Sequence, residues 1–238
     1  MTRERLLAIE TSSAQLSLAV GNSEKALHYF RSPLAWRHAE ALLKALRQLL
    51  KQQRWRVQSL NGIIVSTGPG SFTGIRIGLA AARALGQTLA IPVVGVSSLE
   101  TIAYQIVIPE VLIGDPVAFS KPLGPRLHNS GATTLICPAI DALRGDVFTA
   151  LFEQTAQGTF RRVWADQRLS ADVLEAKLKQ LRKKGVVVRR IQHTLPDARA
   201  LLALGAPRLA GSGPHSYREV LPTYLRQAAA QERRSLAV

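Results

Sequence analysis

The first part of the chain changes its hydrophobic period once, from the short runs of strands to the spacing of a helix. Residues 6–9 are apolar throughout, residues 16–20 alternate apolar with small or polar side chains, and residues 26–30 follow a Gly21-Asn22 turn. This pattern predicts three strands in an antiparallel meander. Residues 37–53 then carry apolar side chains at helical spacing, which predicts an amphipathic helix. These apolar positions are Ala39, Leu42, Leu43, Leu46, Leu49 and Leu50.

Strand and helix patterns alternate along the next part of the chain. Residues 63–65 are predicted to form a strand, residues 73–90 a helix and residues 92–96 another strand. Ser97 or Ser98 has the side chain to cap a helix that follows this last strand. The order of strand, helix and strand is typical of α/β domains.

A second α/β unit is predicted after a long, proline-rich stretch. Residues 109–131 contain four prolines, which is typical of a loop or linker. We therefore predict an N-terminal lobe over residues 1–108, a linker over residues 109–131 and a smaller C-terminal lobe over residues 132–238. The elements predicted in the second lobe are strands over 133–140, 147–153, 160–164 and 186–188, helices over 171–184 and 198–209, and an extended piece over 222–226.

The composition is that of a folded protein of the cytoplasm. Apolar residues make up 47% and charged residues 20%, and no apolar run reaches the roughly 18 to 20 residues of a membrane helix. Residues 1–5 lead into the first strand without the apolar region of a signal peptide. Cys137 is the single cysteine, which excludes an intrachain disulfide. We therefore expect a cytoplasmic protein that does not contact the membrane.

The net charge of +15 is high for a chain of 238 residues, and most of it lies in the second half. Residues 120–238 contain nineteen basic and nine acidic residues. A basic surface attracts the phosphates of nucleic acid. The charge has three interpretations, which are a contact with nucleic acid, a solvated basic face and an unusual composition of the whole proteome. The basic clusters are Arg161-Arg162, Arg182-Lys183-Lys184, Arg189-Arg190 and Arg233-Arg234.

A glycine-rich loop lies between a predicted strand and a predicted helix, where backbone N–H groups can bind an anion. The loop consists of Gly68, Pro69, Gly70 and Ser71. Its spacing is not G-x-G-x-x-G, its proline lacks an N–H donor, and no Lys-Ser or Lys-Thr pair follows it as in a P-loop. The loop is therefore either a weak phosphate site or a tight turn that lets the helix lie close to the sheet.

The predicted helix after this loop has small residues at every fourth position: Gly74, Gly78, Ala82 and Gly86. Glycine inside a helix costs roughly 0.8 to 1 kcal/mol relative to alanine, so close approach of another element is the usual reason for it. The spacing leaves open whether a helix of this chain, a helix of a partner, or both approach the stripe.

The motifs resemble those of the TsaB family along nearly the whole chain. The most specific string is Thr67-Gly68-Pro69-Gly70-Ser71-Phe72-Thr73-Gly74-Ile75-Arg76-Ile77-Gly78. The other matching segments are residues 6–12, 38–43, 94–99, 140–148 and 222–226. The resemblance implies an α/β protein with the two-lobe fold of actin, Hsp70 and sugar kinases (the ASKHA fold), each lobe being a mixed sheet with flanking helices.

The resemblance also implies a function and a set of partners. Members are non-catalytic scaffold or activator subunits in the formation of tRNA N6-threonylcarbamoyladenosine. They bind the catalytic paralogue TsaD and the ATPase TsaE, form homodimers, and use the two N-lobe helices as the partner surface. In this chain we expect that surface to include His38, Leu42, Gly74, Ile75, Gly78, Leu79 and Ala82, and we expect tRNA to be contacted within the complex.

Two departures from the motifs argue against a catalytic site, a metal or a cofactor. The first strand usually ends in Asp-Thr, at the position where active members of the wider fold hold the metal and phosphates of ATP. Here Glu10, Thr11 and Ser12 follow instead, so they are only a weak nucleotide or phosphate site. The catalytic sister family also carries a pair of metal-binding histidines where this chain has Ser98 and Ile102.

Other functions remain open at this point. A kinase-fold phosphotransferase, an M22-type peptidase-like protein and a nucleic-acid binder that depends on the basic charge are the alternatives. The five histidines are scattered and lie beside no recognisable serine or cysteine nucleophile, and a surface or capping role is expected for His38. Asp141 and Asp146 flank a turn, which their side chains can hydrogen bond.

Overall fold

A computed structural model describes residues 4–23, 26–32, 38–107, 134–154, 160–211 and 216–225. The predicted linker, His128, His215 and the Arg233-Arg234 cluster lie outside the described residues.

The first sheet combines the predicted meander with two parallel strands. Its strands are β1 (Leu6–Glu10), β2 (Ser17–Gly21), β3 (Ala26–Arg31), β4 (Gly62–Ser66) and β5 (Val93–Val96). They lie in the order β3-β2-β1-β4-β5. β1 pairs antiparallel with β2 and parallel with β4, and β5 pairs parallel with β4. The carboxyl ends of β1, β4 and β5 therefore meet at one edge of the sheet.

Helices cover both faces of this sheet. α1 (His38–Gln52) and α2 (Phe72–Leu89) pack on the face that presents Leu7, Ile9 and Ile63. α3 (Ser98–Val107) follows β5 and leads towards the second half of the chain.

The second sheet consists of β6 (Thr134–Asp141), β7 (Asp146–Gln154), β8 (Phe160–Ser170) and β9 (Val187–Ile191), in the order β8-β7-β6-β9. α3 packs on one face of this sheet. α4 (Ala171–Lys183) packs on the other face through its buried side chains Leu174 and Leu178.

The last helix returns to the first sheet. α5 (Ala198–Ala210) contacts β1, β2, β4 and β5, and it buries Leu201, Leu202 and Ala206 against the face opposite α1 and α2. Gly205 allows this contact, because a Cβ atom there would lie 2.3 Å from Cγ2 of Ile64. A helix from the predicted second lobe thus completes the core of the first sheet. The division at residues 108 and 132 stays a prediction.

The predicted elements agree with the structure in type and order, and β8 and β9 extend further than predicted. β8 continues to Ser170 although residues 165–170 are mostly polar, because they pair with the first residues of β7 at the edge of the sheet. Residues 221–225 do not form a strand. Thr223 instead donates its N–H to Thr67 O at 2.8 Å, which ties this extended piece to the loop after β4.

Candidate functional site

The candidate site lies where the carboxyl ends of β1, β4 and β5 meet, which is the usual place for a ligand in an open α/β sheet. β1 ends at Glu10, β4 ends at Ser66, and Ser98 begins α3 directly after β5. All three side chains are fully buried. We call Glu10, Ser12, Ser66 and Ser98 the β1-end cluster.

Glu10 is held by the turn that follows its own strand. Its Oε1 accepts hydrogen bonds from the N–H and from the hydroxyl of Ser12, both at 2.6 Å. Its other oxygen, Oε2, is buried without a hydrogen-bond partner among the described residues. The Glu10 carboxyl group therefore points into the protein and is bound by the turn that follows β1.

The hydroxyl groups of the β1-end cluster form a continuous chain. Ser98 Oγ donates to Ser12 Oγ at 2.6 Å, and it lies 2.9 Å from Ser66 Oγ. Three short side chains from three segments thus fill the crevice with mutual hydrogen bonds. A phosphate or a metal ion could enter only by displacing this chain.

The pKa of Glu10 is raised to about 7, from an ordinary value of 4.5. Burial is the main cause, since the low-dielectric interior disfavours the carboxylate. The hydrogen bonds from Ser12 and the nearby Ser66 hydroxyl oppose this rise, and the negative charge of Asp197 adds to it. Protonated and ionised forms of Glu10 are therefore both populated near neutral pH.

The glycine-rich loop uses its N–H groups internally. The N–H of Ser71 donates to Ser12 O at 2.7 Å, and the N–H of Gly74 donates to Ser71 Oγ at 3.2 Å. Gly70 lies against the turn after β1, since a Cβ atom there would be 2.1 Å from Ser12 O. The geometry favours the tight-turn interpretation over the phosphate site, because these donors are not directed at a ligand.

The small-residue stripe of α2 faces the sheet of its own chain. A Cβ atom would lie 2.0 Å from Thr11 O at Gly74 and 2.2 Å from Thr11 Oγ1 at Gly78. At Gly86 it would lie 2.4 Å from Cγ2 of Val93. The expectation that Gly78 meets a partner helix is therefore corrected, because α2 needs this glycine to lie directly on β1.

The other expected interface residues are also buried within the chain. Leu42, Ile75, Leu79 and Ala82 belong to the core between the first sheet and its two helices. His38 is buried at the start of α1, where its Nε2 lies 3.1 Å from Ser13 O. This contact joins the start of α1 to the turn after β1, so it is not a cap of α1, and the burial of His38 argues against the expected surface role. A partner surface on these helices has to use their exposed sides.

The two positions that match the histidine pair of the sister family lie in the interior. Ser98 belongs to the β1-end cluster, and Ile102 is packed in the core of the second sheet. Among the residues that the structure describes, no group of three His, Cys, Asp or Glu side chains is close enough to hold a metal ion. None of the described helices is long and apolar enough to cross a membrane.

Sequence reasoning identified Glu10 and Ser12 but missed two neighbours that define the site. Ser66 and Ser98 each follow a run of apolar strand residues at the carboxyl end of a parallel strand. A serine at the carboxyl end of a predicted parallel strand is therefore a signal for a residue of the site. Asp197 was also missed, although it caps α5 by accepting from the N–H of Arg199 at 2.8 Å.

Comparisons with known proteins identify relatives of this chain. The family model "TsaD: tRNA N6-adenosine threonylcarbamoyltransferase" matches residues 33–120. A protein of Escherichia coli (strain K12) named "tRNA threonylcarbamoyladenosine biosynthesis protein TsaB" is 25% identical over 95% of this chain and 96% of its own length. A protein of the same name from Bacillus subtilis (strain 168) is 34% identical over 71% of this chain. These relatives support a protein of the TsaB/YeaZ type.

The TsaB/YeaZ type also accounts for the fold. The match spans 64% of the length of the B. subtilis relative. The solved structure titled "YeaZ from Pseudomonas aeruginosa" superposes with a TM-score of 0.67 at 23% identity, covering 93% of this chain and all of that chain. A second structure, titled as similar to peptidase YEAZ from the same organism, gives 0.69 at 24% identity, covering 94% of this chain and all of that chain. The two mixed sheets with flanking helices are thus the ASKHA-like fold.

Proposed function

We propose that the chain is a non-catalytic subunit in the biosynthesis of tRNA N6-threonylcarbamoyladenosine. Its partners would be a catalytic subunit of the TsaD type and an ATPase of the TsaE type, in the cytoplasm. The names of the relatives support the pathway. The match to the TsaD model supports a common origin with the proposed catalytic partner.

The observation that carries the non-catalytic role is the β1-end cluster. In active members of the wider fold, the carboxylate and hydroxyl at the end of the first strand lie at the metal and phosphates of ATP. Here Glu10 is fully buried with a raised pKa, and Ser71 and Gly74 donate their N–H groups within the chain. The alternatives of a phosphotransferase and a peptidase both require an accessible reactive group that the cluster does not provide.

The exposed sides of α1 and α2 are the proposed partner surface. Leu43 of α1 is 55% exposed and Phe72 at the start of α2 is 41% exposed. Ala80 and Ala84 are also exposed on α2, so a partner can approach this helix closely. A surface with apolar anchors and small residues suits a protein partner. A homodimer would use the same surface and would compete with the catalytic partner.

Co-purification with the TsaD homologue of the same cell tests the partner. Leu43→Asp is expected to weaken the complex at least about tenfold, because burying an unpaired charge in an apolar contact is costly. Gln48→Asp adds the same charge at another exposed position of α1 and is expected to bind normally. Equal binding by both variants would show that the partner uses another surface.

Reconstituted modification of tRNA tests the non-catalytic role. Glu10→Gln removes the only carboxyl group of the β1-end cluster, and the complex with this variant is expected to form threonylcarbamoyladenosine at the normal rate. The wild-type chain alone is expected not to turn over ATP. Loss of modification in a complex that still assembles, or ATP turnover that depends on Glu10, would favour a catalytic function.

A further inference from the structure

Positive charge is concentrated on one helix and the strand that follows it. Residues 171–191, which span α4 and β9, contain seven basic and two acidic residues. α4 packs on the face of the second sheet opposite α3, and β9 is an edge strand of that sheet. The positive charge of α4 therefore lies on one side of the second sheet.

Four arginines of the second sheet pair with carboxylates, whereas three lysines at the end of α4 do not. Glu175 pairs with Arg190 of β9 and also lies 3.8 Å from Arg182 of α4. Lys179, Lys183 and Lys184 are exposed and have no carboxylate within 4.0 Å among the described residues. The further pairs are Arg161 with Glu153, Arg162 with Asp166, and Arg168 with Asp146.

The lysines lie on the outer side of α4. The buried side of this helix is formed by Leu174 and Leu178, which face the sheet. Lys179 and Lys183 are four residues apart and therefore share a side of the helix. Lys177 lies further towards the start, with its Nζ 5.5 Å from the ring centroid of Trp164 on β8.

Helix stability explains only part of this arrangement. Cations in the last turn favour the helix dipole, which accounts for Lys183 and Lys184. Lys179 lies before that turn, where Glu175 at i−4 favours it and Lys183 at i+4 disfavours it by similar amounts. Glu175 is itself paired with Arg190. Three uncompensated cations in one exposed region instead suit a polyanion with regularly spaced charges.

We infer that the outer side of α4, with Lys179 and Lys183, together with Lys184 directly after the helix, binds the phosphate backbone of a structured RNA. The identification of that RNA as the tRNA of the modification complex rests on the proposed function. RNA is favoured over an anionic membrane because Gln180 accompanies the lysines, and no exposed aromatic or leucine side chain of α4 could anchor in lipid.

The test compares two triple charge reversals in the full chain. Lys179→Glu, Lys183→Glu and Lys184→Glu alter the α4 surface. Lys44→Glu, Arg47→Glu and Lys51→Glu make the same change of charge on the exposed side of α1. Affinity for a tRNA transcript is measured by fluorescence anisotropy at several salt concentrations between about 0.05 and 0.2 M. Thermal unfolding checks that both variants are folded.

The α4 variant is expected to bind tRNA at least about tenfold more weakly, with a log–log salt slope smaller by about 2 to 3, because each lost phosphate contact removes about 0.9. The α1 variant is expected to keep the wild-type slope. Equal losses in both variants would mean that net charge alone attracts the RNA. Unchanged binding by the α4 variant, or binding to anionic vesicles in preference to tRNA, would overturn the inference.

The assay with the free chain separates this inference from the proposed function. Binding of tRNA by the isolated protein through α4 does not require a TsaD-type partner. If the chain fails to assemble with that partner but keeps the α4-dependent slope, the RNA surface stands and the proposed complex does not. If the complex assembles and modifies tRNA equally well with the α4 variant, the proposed function stands and the RNA surface does not.

Discussion

Thr11 and Gly78 lie so close together that a Cβ atom on the glycine would be 2.2 Å from Thr11 Oγ1. Gly78→Leu is therefore expected to lower the free energy of unfolding by about 1 to 3 kcal/mol or more, as overpacked cores do. Denaturant unfolding measures this loss. Ala80→Leu, on the exposed side of the same helix, is expected to change the stability by less than about 0.5 kcal/mol.

The same contact can be tested by rescue. Thr11 Oγ1 is buried without a hydrogen-bond partner among the described residues, so Thr11→Ala removes the obstructing atom and breaks no recorded bond. The double variant Thr11→Ala with Gly78→Ala is expected to be more stable than the sum of the two single changes predicts. Strict additivity would show that the helix avoids the hydroxyl in another way.

Glu10 should make the stability depend on pH. The folded protein retains the Glu10 proton up to about pH 7, whereas the ordinary pKa is 4.5. The folded state therefore binds more protons between these values, and the free energy of unfolding falls as the pH rises through that window, by at most about 1.4 kcal/mol per pH unit. Above the folded pKa the contribution of Glu10 no longer changes.

Glu10→Gln removes this dependence, because the amide does not titrate. Compared with the wild type, the variant is expected to gain stability between about pH 5 and about pH 8, as measured by urea unfolding. Glu219→Gln removes one exposed carboxyl group and is expected to retain the wild-type slope. Parallel pH profiles for the Glu10 variant and the wild type would contradict the raised pKa.

The buried ion pair at the start of α5 should be sensitive to the loss of one partner. Arg199 Nε and Nη2 donate to Asp197 at 2.9 and 3.0 Å, and the two residues are 2% and 5% exposed. Asp197→Ala is expected to cost about 3 to 5 kcal/mol, since it leaves the guanidinium buried without its carboxylate. Arg199→Leu in addition to Asp197→Ala is expected to recover part of this loss. A double variant that is less stable than Asp197→Ala would contradict this account.

Glu100 joins three elements and should stabilise their arrangement modestly. It accepts from Arg162 of β8 at 3.2 Å and pairs with Arg208 of α5. Glu100→Gln is expected to lower the free energy of unfolding by only about 1 kcal/mol, because both arginines are partly exposed. The melting temperature measures this loss. Glu153→Gln breaks the pair with the more exposed Arg161 and is expected to have less effect. An equal shift for both variants would mean that Glu100 is an ordinary surface carboxylate.

Periodicity predicted the order of helices and strands because each element has a strong apolar pattern of its own. It could not assign α5 to a sheet, since the contact between Leu201 and the first sheet joins residues far apart in sequence. The small-residue stripe gave a similar ambiguity. Spacing shows that something approaches Gly78, but only the structure shows that Thr11 does.

The chemistry of the site was predictable only in part, because it also depends on contacts between residues far apart in sequence. The chain signals a carboxyl group at the end of β1, and Glu10 is there. Its neighbours Ser66 and Ser98 come together only after the parallel strands have paired, when Ser98 contacts both Ser66 and Ser12. A sequence shows the residue types, but it does not show which hydroxyl groups form hydrogen bonds with each other.

The return of α5 to the first sheet has a consequence for the order of events on the ribosome. When residues 4–107 have emerged, one face of their sheet still exposes Ala8, Ile64 and the other apolar side chains that α5 later covers. That face stays uncovered until residues 198–210 have been synthesised. Because long-range contacts form slowly and exposed apolar surface promotes aggregation, the nascent chain presents a surface that chaperones recognise while the residues between β5 and α5 are made. Completion of the first core thus waits for α5, which begins about a hundred residues after β5 ends.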